Sequence, residues 1–219
     1  MQKQLRYRLT LEFLEPRLAL NSYFVSPGGN DNNPGTNALP WQTLQHAAGQ
    51  VVAGDTVTVR AGTYAGFVLG WDFPQNGTAA NPITFQADPG VIINSNNIHT
   101  ADGINLEGTS YIIVIGFQVE NPASGTITRA GIRAVSNGVN NAQGVVIENC
   151  LADNCGTWGI FTSHEDGILI QNNTCSNTQV QHGIYVSNAC VNPVVRGNTI
   201  FGNHDAGIHM VPKGNAGRV

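Results

Sequence analysis

Residues 157–186, TWGIFTSHEDGILIQNNTCSNTQVQHGIYV, hold two copies of one short motif, Trp158-Gly159-Ile160-Phe161 and His182-Gly183-Ile184-Tyr185. The Gly-Ile pair recurs outward from this stretch at Gly103-Ile104, Gly131-Ile132 and Gly207-Ile208, so that the successive spacings are 28, 28, 24 and 24 residues. A period in the twenties, filled with Asn, Gly, Val and Ile, marks a β-solenoid in which each coil buries its apolar side against its neighbours and none is stable alone. The five isoleucines are expected to form one inward-pointing ladder.

A second apolar run follows in each coil, over 114–119, 147–152, 170–175 and 195–200, and each is expected as one strand. Aligning them puts Val114, Ile147, Ile170 and Val195 in one column. Phe117, Cys150, Asn173 and Asn198 share a second, and Val119, Ala152, Cys175 and Ile200 a third. Strands about 4.8 Å apart bring Asn173 and Asn198 within amide hydrogen-bonding reach along the axis. Cys150 and Cys175 stand two positions out of line and are expected as small buried residues rather than a disulfide. Cys150, Cys155, Cys175 and Cys190 include no CxxC pair, which leaves a zinc or redox site poorly supported.

Composition agrees with tight coils. Only 11% of residues are charged, while Gly numbers 26 and Asn 25 of 219, and both tolerate the left-handed backbone that corners require. The formal net charge is −4; setting residues 1–20 aside leaves six basic and twelve acidic residues, a net of −6. A mildly acidic body without a basic stripe argues against nucleic acid as a partner. No run approaches the roughly 18 apolar residues of a membrane span.

Residues 1–20, MQKQLRYRLTLEFLEPRLAL, start basic, but Glu12, Glu15, Pro16 and Arg17 interrupt what a secretory signal would keep apolar. Leu14-Glu15-Pro16-Arg17-Leu18 resembles a short leader found before many bacterial surface and exported proteins, so 1–20 is expected to be an export-type segment ahead of one domain over 21–219. Within that domain, Trp41, Leu44, Ala47, Ala48 and Val51 recur at a helical period, and Thr56-Val57-Thr58-Val59-Arg60 alternates like a strand. An amphipathic helix here would cover the open end of the first coil.

The segments YFVSPGGNDNNPGT (23–36), PWQTLQHAA (40–48) and AGDTVTVRAGTY (53–64) resemble the opening of right-handed parallel β-helix proteins of the pectate-lyase-like superfamily. The resemblance, with the later repeats, covers about residues 22–211. It implies an all-β, right-handed parallel β-helix of about three strands per coil, capped by a short N-terminal α-helix. It also implies an extracellular or cell-surface location and a polysaccharide partner. Residues 71–81, WDFPQNGTAAN, are read as a loop leaving the first coil, either a binding wall or a plain corner insertion.

Strand alternation sends the residue after each Ile outward, giving the column Asn105, Arg133, Phe161, Tyr185 and His209. Aromatic rings accept the apolar faces of sugars, and an arginine pairs with a uronate carboxylate. Asn105, Phe161, Trp158 and Arg129 are therefore expected to bind substrate. A lyase must neutralise the uronate and remove the neighbouring proton. Arg133 is the candidate neutraliser, His182 or His209 the base, and Tyr185 the assisting acid. Asp166 with Glu165 or Asp205 is the candidate ligand set for Ca2+. This assignment needs Arg133, His182, Tyr185 and His209 to converge, with His182 accessible.

Two other classes compete. A non-catalytic structural or adhesive solenoid needs no such convergence; a glycoside hydrolase of this fold works through paired carboxylates, and both its Gly-His-Gly signature and an adjacent Asp-Asp pair are missing. The chain stops eleven residues after Ile208, and 213–219 is too short and polar for an obvious cap. An uncapped last coil is expected to invite end-to-end association.

Overall fold

The computed structural model describes residues 21–71, 75–123 and 125–211. The export-type segment 1–20 and the polar tail with Lys213 lie outside the described residues. The strands fall into three long parallel sheets that the chain visits in turn. The first contains Ser22–Val25, Thr56–Val59, Ile83–Ala87, Ile112–Ile115, Val146–Glu148, Leu169–Gln171 and Val194–Arg196. The second runs from Gly62–Ala65 through Val91–Ser95, Gln118–Glu120, Leu151–Asp153 and Thr174–Ser176 to Thr199–Phe201. The third stacks Phe67–Leu69, Ile104–Glu107, Ala130–Val135, Trp158–Ser163, Ile184–Val186 and Ile208–Met210. A parallel β-helix built from three faces is the result, with one apolar core running from Val25 to Cys190.

The second apolar run of each coil is not one strand, as expected, but two strands on different sheets. A left-handed residue breaks it each time: Gly116 (φ 78°), Asn149 (φ 54°), Asn172 (φ 56°) and Gly197 (φ 66°). Asn and Gly adopt this conformation at low cost, so the chain turns a corner there without losing its inward alternation. The residue after the corner points inward again, and Phe117, Cys150 and Asn173 are all buried. Asn173 Nδ2 donates to Asn198 Oδ1 at 3.0 Å, and the Cys150 backbone N donates to Asn173 Oδ1 at 2.9 Å. These amides satisfy buried polar groups from coil to coil as the alignment implied.

The Gly-Ile ladder is in register through all five coils, Ile104 to Ile132, Ile160, Ile184 and Ile208. Gly103, Gly131, Gly159 and Gly183 are required by space. A Cβ on Gly159 would lie 2.6 Å from the Gly183 carbonyl oxygen, and one on Gly103 would lie 2.7 Å from that of Gly131. Ile104, Ile132, Ile160 and Ile184 are buried, but Ile208 is 45% exposed, because it lies on the last described strand of its sheet and nothing described stacks beyond it. All four cysteines are free and buried. Burial pushes the Cys150 thiol up to about 12, so it is an unreactive packing group.

The helix spans Leu44–Gln50, later than the apolar period suggested, because Thr43 caps it: the Thr43 hydroxyl accepts from the His46 backbone N at 3.1 Å. Trp41 stands before the helix and stacks on Tyr23 at 4.5 Å. Leu44, Ala47 and Ala48 face the core. Gln45 holds both backbone groups of Val68, accepting from its N at 2.9 Å and donating to its carbonyl at 3.1 Å. That amide satisfies the edge of the third sheet where, among the described residues, no further strand pairs.

Candidate functional site

The outer face of the third sheet carries the predicted column. Asn105, Arg133, Phe161, Tyr185 and His209 are direct partners on successive strands, with Val68 preceding them. One end of the column is polar and internally paired, the other aromatic.

At the polar end Asn105 is fully buried. It donates to Glu107 Oε2 at 3.1 Å and accepts from Arg133 Nη1 at 3.1 Å. Its expected role as a substrate contact is therefore corrected: its amide orients Arg133 and has no face open to a ligand. Arg133 Nη1 also donates to Glu107 Oε2 at 2.5 Å. Arg129 makes a two-pronged pair with the buried Asp102, Nε to Oδ1 at 2.8 Å and Nη2 to Oδ2. That bond, rather than a substrate, raises the Arg129 pKa, and Asp102 also receives the Ala130 backbone N at 3.0 Å. Both arginines thus meet the outer face with part of each guanidinium already committed. Neither carboxylate partner was singled out from sequence. Glu107 was legible, since it lies two residues after Asn105 and so on the same face of the strand. Asp102 was legible too, because it occupies the position before Gly103 that Trp158 and His182 occupy in later coils.

At the aromatic end the rings are contiguous. Trp158 stacks on Phe161 with centres 4.4 Å apart, and its Nε1 donates to Gln181 Oε1 at 2.7 Å. Phe161 meets Tyr185 edge-on at 5.5 Å, and Tyr185 stacks on His209 at 4.7 Å and 15°. Trp158, Phe161, Tyr185 and His209 are all half-buried, each leaving part of its ring to solvent. Beneath them, His182 packs edge-on against Tyr185 at 5.2 Å, and its Nε2 lies 2.9 Å from His209 Nδ1. Asp205 Oδ2 lies 3.6 Å from His182 Nδ1.

This geometry corrects the lyase assignment in two places. His182, expected as an accessible base, has a side chain only 8% exposed, covered by Tyr185 and His209. Desolvation, followed by the nearby His209, lowers its pKa, with Asp205 opposing. The Arg133 backbone is three strands from that of His209, about 14 Å at the strand spacing of a sheet, and its guanidinium is held on the far side by Glu107 and Asn105, away from His209. His182, Tyr185 and His209 come together; Arg133 does not join them.

The expected calcium ligands do not fit one ion either. Asp205 hydrogen-bonds through its backbone to Gln181, at the entry of the third-sheet strands. Glu165 and Asp166 follow the strand Trp158–Ser163, at the exit, and pair with Ala142–Gln143 in a separate two-stranded sheet. Glu165 is buried with Oε2 lacking a hydrogen-bond partner, and burial pushes its carboxyl up to about 8, so it is neutral at pH 7. Among the described residues, no three His, Cys, Asp or Glu side chains converge as a metal site. A second ring pair lies near the capping helix, where Trp71, 48% exposed, stacks on His99 at 5.2 Å and 9°. The sequence reading of 71–81 as a loop did not anticipate that stack.

Among the described residues no helix is long and apolar enough to cross a membrane. Two curated proteins align with part of the chain. The uncharacterized protein YwoF of Bacillus subtilis is 38% identical over 81 residues, which is 36% of this chain and 17% of that protein. Pectate lyase PEL9 of Emericella nidulans is 36% identical over 98 residues, which is 44% of this chain and 22% of that protein. The chain therefore spans less than a quarter of the length of the curated relatives it matches. A solved complex of XylC with xylose shares the fold at a TM-score of 0.53 and 12% identity, covering 85% of this chain and 63% of that one. The family model described as "Pel9A-like, right handed beta helix region" matches residues 23–189, and with the three-sheet coil it shows that the chain belongs to that pectate-lyase-like family of right-handed parallel β-helices.

Proposed function

We propose that this chain binds a uronate-containing polysaccharide along the outer face of its third sheet, outside the cell. The observation that carries the reading is the unbroken run of partly exposed rings from Trp158 through Phe161 and Tyr185 to His209. Pyranose rings present flat C–H faces that pack on such surfaces, and the hydroxyls at their edges stay in water. Arg129 and Arg133, at the other end of the same face, supply the partner for sugar carboxylates. Kinship with a pectate lyase and the leader-like residues 14–18 favour an acidic plant or microbial glycan met outside the cell.

Binding, rather than elimination, is what the arrangement supports best. Elimination needs a cation on the carboxylate beside the proton being removed. The backbone of the column's arginine is about 14 Å from that of the exposed histidine, and its guanidinium is turned toward Glu107. The experiment is calorimetric titration with polygalacturonate, alginate and neutral xylan, with ultraviolet absorbance followed in parallel. The expected result is saturable binding to the acidic polymers, weaker binding to xylan and no absorbance gain. A steady rise in unsaturated-uronide absorbance would instead establish a lyase, and absence of binding to any of the three would remove the glycan reading.

A further inference from the structure

We propose that His182 Nε2 and His209 Nδ1 form a two-imidazole site for a divalent transition-metal ion of the copper(II) class, with Asp205 as the carboxylate behind His182. The distance between the nitrogens is the first ground. Two nitrogens about 2.05 Å from a metal in cis positions of a square plane are about 2.9 Å apart, whereas tetrahedral ligands are about 3.3 Å apart. The observed separation is 2.9 Å. The two rings are perpendicular, at 89°, and their centres are only 4.6 Å apart. They meet at an angle instead of end to end, as two rings on cis positions of one ion do.

The second ground is the unpartnered atom. His182 Nδ1 is buried and makes no hydrogen bond, while Asp205 Oδ2 waits at 3.6 Å. A metal on Nε2 fixes the proton on Nδ1 and polarises that N–H toward the carboxylate, the arrangement by which metal-bound histidines are usually oriented. In the metal-free pair one proton bridges the two imidazoles. On binding, the His209 proton moves to its Nε2, so both facing nitrogens offer lone pairs and no net proton is released. The pair supplies two protein ligands and water completes the coordination. Copper(II) heads the divalent series for nitrogen ligands. Ligation uses His209 in place of proton abstraction, so it stands whether or not glycan binds.

The test is titration of the whole chain with copper(II) in a non-coordinating buffer at pH 7, read by calorimetry and by electron paramagnetic resonance. One site with two equivalent-class nitrogen couplings is expected. His209→Ala and His182→Gln should each weaken it at least tenfold, and Asp205→Asn about tenfold. His204→Ala, which alters a neighbouring exposed imidazole, should leave it unchanged. His209 is half-exposed, and an unaltered urea midpoint for its variant separates loss of a ligand from loss of the fold. Copper affinity unchanged by His209→Ala in a folded protein, or a spectrum with a single nitrogen, overturns the proposal.

Discussion

Arg133 Nη1 reaches Glu107 Oε2 at 2.5 Å across two neighbouring strands of the third sheet, and the same nitrogen is held by Asn105 at 3.1 Å. The pair restrains the arginine at the place where an acidic sugar would want it free. Replacing Glu107 by Gln keeps the shape and removes the competing charge. The expected outcome is a gain of about 1 kcal/mol, roughly fivefold, in affinity for polygalacturonate, lost again at high salt. Calorimetry at two ionic strengths checks it; no change in affinity would mean that Arg133 does not face the glycan.

Asp102 is fully buried and its charge is met by Arg129. Removing Arg129 leaves a buried charge with only the Ala130 N and the Thr100 hydroxyl as donors, so Arg129→Ala should lower stability by about 2 kcal/mol in urea unfolding. Arg129→Ala combined with Asp102→Asn should lose less than Arg129→Ala alone. A single variant as stable as the parent would show that the Ala130 backbone N and the Thr100 hydroxyl already satisfy Asp102.

Glu165 titrates at about 8 in the folded chain against an ordinary value of 4.5, because burial disfavours its charge. The folded state then holds a proton that the unfolded state has released. Stability from this group is full below about pH 4.5 and declines as pH rises through about 8, by an amount on the order of a few kcal/mol. Glu165→Gln should flatten that decline. Urea midpoints measured from pH 5 to 9 give the slope, and identical slopes in the two proteins would contradict the burial.

Gly159 has room for a hydrogen and nothing more, since a Cβ would meet the Gly183 oxygen at 2.6 Å and Cys175 Cβ at 3.0 Å. Gly159→Ala should destabilise by roughly 1 to 3 kcal/mol through forced separation of the coils. Gly49→Ala, on the capping helix, meets no atom within 4 Å and should be neutral or stabilising. Equal effects at the two sites would remove close packing as the reason for the ladder.

The fold was legible because a coil repeat writes itself into the sequence several times. Ile104, Ile132, Ile160 and Ile184 each report the same inward position, and the column from Asn105 to His209 follows by alternation alone. Corners were harder. Asn149 and Asn172 sit inside apolar alternation, and only their left-handed backbone shows that one run is two strands on two sheets. At the site, residue types were visible but their partners were not. Arg133 looks available until Glu107 is placed beside it, and His182 looks exposed until Tyr185 and His209 are laid over it. Sidedness follows from local periodicity; pairing between coils depends on how 24 to 28 residues of turn and strand close on themselves.

The most direct test of the glycan-binding face is the affinity of Tyr185→Ala for polygalacturonate, compared with the parent and with Arg196→Ala on the first sheet. Tyr185 joins Phe161 to His209, so its loss should break the run and lower affinity about tenfold, near 1.4 kcal/mol. Arg196→Ala should bind as the parent does. A Tyr185→Ala protein that binds unchanged, with Arg196→Ala weakened in its place, would move the binding face to the first sheet and contradict the account.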